Sequence, residues 1–177
     1  MTKLPGIISI THCLISDPAA LDLANIPAMI RMGSLILEDH DFSEFEFLAL
    51  PDRPPGWPTD HFRPIEEISK KECFDQNGPH IYQLRELKRP GVSLLAQLPA
   101  DQIESFCQRW SMHRFYSPFQ GWEHVAPEVA LQICQEQAFK KLSAFLPHFQ
   151  PLCQQAIAES KGVYFLYELH GPPNRGS

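Results

Sequence analysis

Residues 80–98, HIYQLRELKRPGVSLLAQL, decide how the chain is read. Arg89-Pro90-Gly91-Val92 fits a type II turn, in which proline presets the second residue and glycine supplies the positive φ of the third. The run from Val92 to Leu98 is almost wholly apolar, as in a central strand. The stretch therefore predicts a β-hairpin. Upstream, SLILEDHDFSEFEFLAL predicts another, with Leu35 to Glu38 pairing with Glu44 to Leu50 across the polar DHDFS. Phe45, Phe47 and Ala49 would face one way and Glu44 and Glu46 the other, the pattern of a half-buried strand.

Between the hairpins, residues 51–64 hold five prolines and a glycine. Proline removes a backbone donor and restricts the residue before it, so regular structure cannot persist there. Trp57 and Phe62 need somewhere to pack, which favours an ordered excursion over a domain boundary. IEEISKKECF reads as a short helix with Ile65, Ile68 and Glu72 or Cys73 on one side, and QNG as a turn. Before the first hairpin, GIISITHCLIS reads as a strand. SDPAALDLAN then reads as a helix capped by Ser16 or Asp17 with Pro18 at its first position. Pro27 would stop or kink it, and AMIRMG would add a turn closed by Gly33.

The C-terminal third is helical. In PADQIESFCQRW, Ile103, Phe106, Cys107 and Trp110 follow i, i+3, i+4, i+7. A second helix starts at Ala126-Pro127-Glu128, carries Leu131, Cys134, Ala138, Leu142 and Phe145 on one stripe, and ends at Pro147. A third opens at Pro151 and ends at Gly162. GVYFLYELHG is a last strand, inserted beside an earlier one. The pattern predicts an α+β fold: a mostly antiparallel sheet of two hairpins plus the N- and C-terminal strands, packed on a block of about three helices. One domain, 1–171, and a flexible tail, 172–177, account for the chain.

The net charge of −6 and pI of about 5.7 argue against a nucleic-acid or anionic-membrane surface, which needs a basic excess. Five widely spaced cysteines with no CxxC suit a reducing compartment rather than a disulfide framework. MTKLPGIISI, broken by Pro5, does not read as a secretory leader, and no apolar run approaches the ~20 residues that span a bilayer. A cytoplasmic protein is expected.

Motifs with strict spacing are missing from the sequence: GxGxxG, GxxxxGK[ST], GxSxG and HExxH do not occur. No catalytic residue, cofactor or metal is assigned. Structural zinc needs about four converging ligands. The near pairs here are His12 with Cys13, Cys73 with His80, Cys107 with His113, and His113 with His124; neighbours on a strand, such as His12 and Cys13, point to opposite faces. His40, flanked by acids in EDHDF, reads as part of a polar turn. Cys107 lies on an apolar stripe, where burial makes a thiol inert.

Surface chemistry concentrates in HRFYSPFQGWEH, residues 113–124. This connection is long for a link between helices and too aromatic to be merely solvated. Phe115, Phe119 and Trp122 could fold back on the core. Alternatively His113, Arg114, Tyr116, Trp122, Glu123 and His124 are presented, with Arg109 and Trp110 extending the patch. Trp, Tyr and Arg concentrate binding energy at protein interfaces. Trp57 and Arg63 repeat the mixture in the proline-rich stretch; whether the two stretches meet is not legible.

The expectation is a soluble module that binds another protein, as an inhibitor, antitoxin or immunity-type factor would, with its charge steering a basic partner. The alternative is a small enzyme or anionic-ligand-binding protein, with His113 or His124 as acid or base, Arg114 holding an anion and Glu123 orienting or acting as a second carboxylate. Substrate, partner identity and oligomeric state are not readable.

Overall fold

The computed structural model describes residues 8–38, 65–75, 78–112 and 125–170. In chain order the elements are β1 (Ile8–Ser16), two 3-10 turns (Pro18–Ala20 and Leu23–Asn25), α1 (Ile26–Arg31), β2 (Gly33–Glu38), β3 (Ile65–Asp75), β4 (Gly78–Leu87), α2 (Arg89–Gln97), a third 3-10 turn (Ala100–Gln102), α3 (Ile103–Met112), α4 (Pro127–Ala158) and β5 (Gly162–His170). The strands form one sheet in the order β2-β1-β5-β4-β3. Every pairing is antiparallel. The class is α+β, as the pattern of the sequence predicts.

β5 comes last and lies in the middle. Five consecutive residues, Val163 to Tyr167, are buried, because both faces of this strand are covered. Val163, Phe165 and Tyr167 join the core under the long helices, and Tyr164 and Leu166 join a second cluster with Leu14, Leu84, Ile26 and Met29. The sheet therefore separates a large helical layer, α2 to α4, from a small one made by the 3-10 turns and α1. β1 divides the same way, with Cys13 in the first cluster and Leu14 in the second. Adjacent His12 and Cys13 do face apart.

Residues 89–97 form a helix, not the second strand of a hairpin. Lys88 is the N-cap and Pro90 sits in the first turn, where its missing N–H would have no partner anyway and its φ already suits a helix. Val92 N–H closes the first bond on the Lys88 carbonyl at 3.1 Å. Val92 and Leu95 are buried one turn apart. The orphaned carbonyls at the far end are satisfied from α4: Gln150 Nε2 donates to Leu95 O (2.9 Å) and Leu98 O (2.6 Å), and Gln154 Nε2 donates to Ala96 O (3.1 Å).

The hairpin instead joins β4 to β3, so 65–75 is a strand and not a short helix. Its alternation is hidden by a bulge. The register runs Glu67↔Arg85 and then Ser69↔Leu84, leaving Ile68 as the extra residue and inverting the phase of everything after it. The three-residue spacing of Ile65 and Ile68 is the imprint of that bulge rather than of a helical turn. β2 pairs with β1; the expected partner strand, 44–50, lies outside the described residues.

Two further corrections concern proline. The helix expected from Ser16 is two 3-10 turns followed by α1, and Pro27 opens α1 rather than stopping it, behind the N-cap Asn25 whose side chain accepts from Ala28 N–H at 3.3 Å. The two helices expected after 126 are one, with Pro147 and Pro151 inside it. Both prolines are exposed, while Phe145, Leu146, Phe149, Cys153 and Ala156 are buried. The lost backbone bonds therefore fall on the watered side, and the apolar stripe carries the helix across the break. Among the described residues no helix is long and apolar enough to cross a membrane.

Candidate functional site

The small-helix face of the sheet ends in a network of histidines around one carboxylate. In the ladder, His12 stands opposite Leu166 on β5, Tyr82 opposite Glu168, and His80 opposite His170. Period-two alternation puts all of these on one face. His12 Nε2 lies 3.2 Å from Glu168 Oε2 and His170 Nε2 lies 2.8 Å from Glu168 Oε1. The Nδ1 atoms of His80 and His170 meet at 2.5 Å, with the rings edge to face. Tyr82 reaches Glu168 Oε1 at 3.5 Å.

An ionised carboxylate only accepts, so both Nε2 atoms facing Glu168 must carry hydrogens. Where the two Nδ1 atoms of His80 and His170 meet, one ring nitrogen must donate and the other accept, so that contact carries a single hydrogen. The chain His80, His170, Glu168, His12 thus ties β4, β5 and β1 together. The hydrogen bond from His12, helped by the nearby His170, holds the Glu168 carboxyl below the usual range against the opposing effect of burial. Gly33 packs beside His12, and a Cβ there would meet Ile30 O at 3.0 Å, a tight approach to the end of α1. His12 Nδ1 has no hydrogen-bond partner among the described residues.

Beside this network, under the 3-10 turns, lies a cleft of about 410 Å³ with Tyr164 and Leu84 at its floor. Among the described residues no three His, Cys, Asp or Glu side chains are placed to hold a metal ion.

The residues expected to form a binding surface fall mostly elsewhere. His113, Arg114, Tyr116, Trp122, Glu123, His124, Trp57 and Arg63 lie outside the described residues. Arg109 is exposed, 5.9 Å over the Phe106 ring and 3.3 Å from the Ser105 hydroxyl. Trp110 is only 3% exposed and packs in the main core against Phe106, so it underlies α3 instead of extending a patch. Its place on the i, i+3, i+4, i+7 stripe already marked that side. Two apolar side chains are exposed where α3 ends and α4 begins, Met112 (62%) and Val129 (47%). Gln135 Nε2 donates to Met112 O at 3.3 Å and fastens the two helices there.

The His–Glu network was not legible as a unit. Alternation along β5 pairs Glu168 with His170, but bringing in His12 and His80 requires the strand order and register. His80 does stand directly opposite Cys73.

All five cysteines are free. Burial raises the Cys107 thiol and pushes Cys153 up to about 12, while burial and then neighbouring Cys153 raise Cys13 further. Cys73 and Cys134 are partly exposed. In the folded protein a thiol reagent at neutral pH is expected to label Cys73 and Cys134 quickly and the other three only on unfolding. A third thiol reacting at the fast rate, seen by mass spectrometry, would contradict this packing.

The described residues form an α+β protein with a polar network on one face of its sheet. Compared with known proteins, the chain matches no family model, no curated protein and no solved structure.

Proposed function

We propose that the chain is a protein-binding module, of the kind an inhibitor, antitoxin or immunity-type factor represents, and that it engages its partner through the α3–α4 end. The observation that carries this reading is the exposure of Met112 and Val129 at the two points where residues 113–124 leave and rejoin the helices, with Arg109 exposed one turn back. Exposed apolar side chains at a rigid helix pair, beside a segment rich in Trp, Tyr and Arg, have the composition of an interface centre. The net charge of −6 favours a basic partner and disfavours nucleic acid. Five free cysteines favour work in the reducing cytoplasm.

The test takes a partner identified by cross-linking in the source cells and measures it, purified, by calorimetry. Trp122→Ala combined with Arg114→Ala is expected to weaken binding at least ~30-fold, the effect of a single hot spot of about 2 kcal/mol. Met112→Ser together with Val129→Ser should weaken it less. Unchanged affinity in the first pair would remove this end from the reading.

A further inference from the structure

β3 closes one side of the sheet, and among the described residues no strand pairs with its outer edge. At 11 residues it is the longest of the described strands. Glu66, Glu67, Ile68, Ser69 and Lys70 are all exposed, Ile68 to 50%. A bare edge of this length is a template for another strand unless its side chains forbid pairing. Lysines and a bulge are the usual deterrents, and β3 has both. What they deter depends on what stands opposite.

The charges along β3 run Glu66-Glu67, then Ile68-Ser69, then Lys70-Lys71. Reversing the strand about a point between Ile68 and Ser69 puts each acid where a base stood. Antiparallel pairing with a second copy around a two-fold axis performs that reversal. An axis perpendicular to the sheet keeps every side chain on its own face, so two residues can be partners only if they already share a face of β3. In an unbroken strand Glu67 and Lys70, three apart, would lie on opposite faces. The bulge removes that obstacle. Glu67 stands opposite Arg85 and Lys70 opposite Gln83, which are two residues apart on β4 and so on one face. Glu66 and Lys71 stand opposite Glu86 and Tyr82 and share the other face. The extra residue at Ile68 brings the acidic pair and the basic pair into phase.

We propose that the outer edge of β3 docks on the β3 edge of a second copy of this chain, antiparallel, with the two-fold axis at the Ile68 bulge. Glu66 then faces Lys71 of the second copy and Glu67 faces its Lys70. Each pairing occurs twice by symmetry, so only opposite charges meet across these positions. The two Ile68 side chains come together at the axis and cover each other's exposed surface. A two-fold register centred on Lys71 would instead set two lysines against each other. Within one chain Lys70 pairs with Glu72 at 2.6 Å, Glu66 with Lys88, and Glu67 lies 3.9 Å from Arg85, all at exposed carboxylates. Surface pairs of this kind hold little free energy, so exchanging them costs little. Lys71 uses one of its three donors on Leu23 O, at 3.1 Å. An interface of one strand pair is small, so the dimer is weak. This edge is separate from the α3–α4 end, and the two surfaces are tested independently.

Sedimentation velocity follows the full chain from about 1 µM to about 1 mM. The parent is expected to pass from monomer to dimer within that range. Two charge-reversed chains are compared with it: Glu66→Lys with Glu67→Lys, and Lys70→Glu with Lys71→Glu. Each alone sets like charges against each other at all of these positions and should weaken dimerisation at least ~10-fold. Mixed in equal amounts, the two chains restore every opposite pair and should form a heterodimer about as readily as the parent forms its homodimer. Ile68→Lys puts two charges on the axis from an exposed position and should also give a monomer; it decides the matter where a reversed chain loses the parent's unfolding transition. A parent that stays monomeric throughout overturns the proposal and leaves the edge to a strand of another protein. Reversed chains or Ile68→Lys dimerising undiminished, or a mixture that fails to associate where the parent does, overturns it and moves the contact to another face.

Discussion

Replacing Phe149 with alanine is expected to destabilise the protein by about 3–5 kcal/mol, the largest effect of any single side chain considered. Phe149 is fully buried, and its ring stacks on Phe145 at 4.7 Å and on Phe165 of β5 at 5.5 Å. It also lies between Pro147 and Pro151, the two residues that deprive α4 of backbone bonds. An interior proline costs a helix roughly 3 kcal/mol. Something outside the helix must hold the backbone in register across that interval, and the stack onto the sheet does so. Phe149→Ala therefore removes both core volume and the anchor of the weakest part of α4. Urea unfolding should show a lower midpoint with little change in slope. Hydrogen exchange should show the amides C-terminal to Pro151 opening before the rest of α4. Phe149→Leu should keep more than half of the lost stability. A loss under about 1 kcal/mol for the alanine variant would mean the stack is not what carries the helix over its prolines.

The same helix shows what the sequence could and could not reveal. Proline marks the end of a helix where burial is even and fails to do so where one apolar stripe is strong enough to override a local break. The spacing of Phe145, Phe149, Cys153 and Ala156 runs through both prolines, so the signal for continuity was present beside the signal against it. At 89–91 the reverse occurred: Arg-Pro-Gly suits a turn and a helix start equally, and what decides is whether Gln150 and Gln154 of a distant helix stand ready to satisfy the carbonyls of α2. In β3 a bulge at Ile68 replaced alternation with a helix-like spacing. The strands with undisturbed alternation or a continuous apolar run, β1 and β5, were readable, as was α3 with its single stripe. The candidate sites followed the same rule. Composition located the chemistry of 113–124, because aromatic and charged residues cluster there in sequence. The His–Glu network and the cleft beside it draw on β1, β3, β4, β5 and the 3-10 turns, and no window of sequence contains them.

The second large effect is expected at Glu168, where glutamine should cost about 2–4 kcal/mol at neutral pH. Glu168 accepts from His12 and His170 at once, and His12 is buried with no other partner for that ring nitrogen. A glutamine has one acceptor oxygen, so one of the two histidine N–H groups is left facing an amide N–H₂. The pH dependence separates this from a simple packing loss. The folded carboxyl titrates below its unfolded value, because the charged form is the one that is hydrogen-bonded. Its stabilisation is therefore complete above the unfolded value, about 4.3, and is lost as pH falls through the lower folded value. The gap in unfolding free energy between parent and Glu168→Gln should be widest near pH 6–7 and should close in acid, where protonated Glu168 resembles the amide. A cycle adding His12→Asn should return a coupling of at least about 1 kcal/mol at neutral pH, which vanishes in acid. A gap that stays constant with pH would show that Glu168 fills space at the end of the sheet without binding the three central strands together by charge.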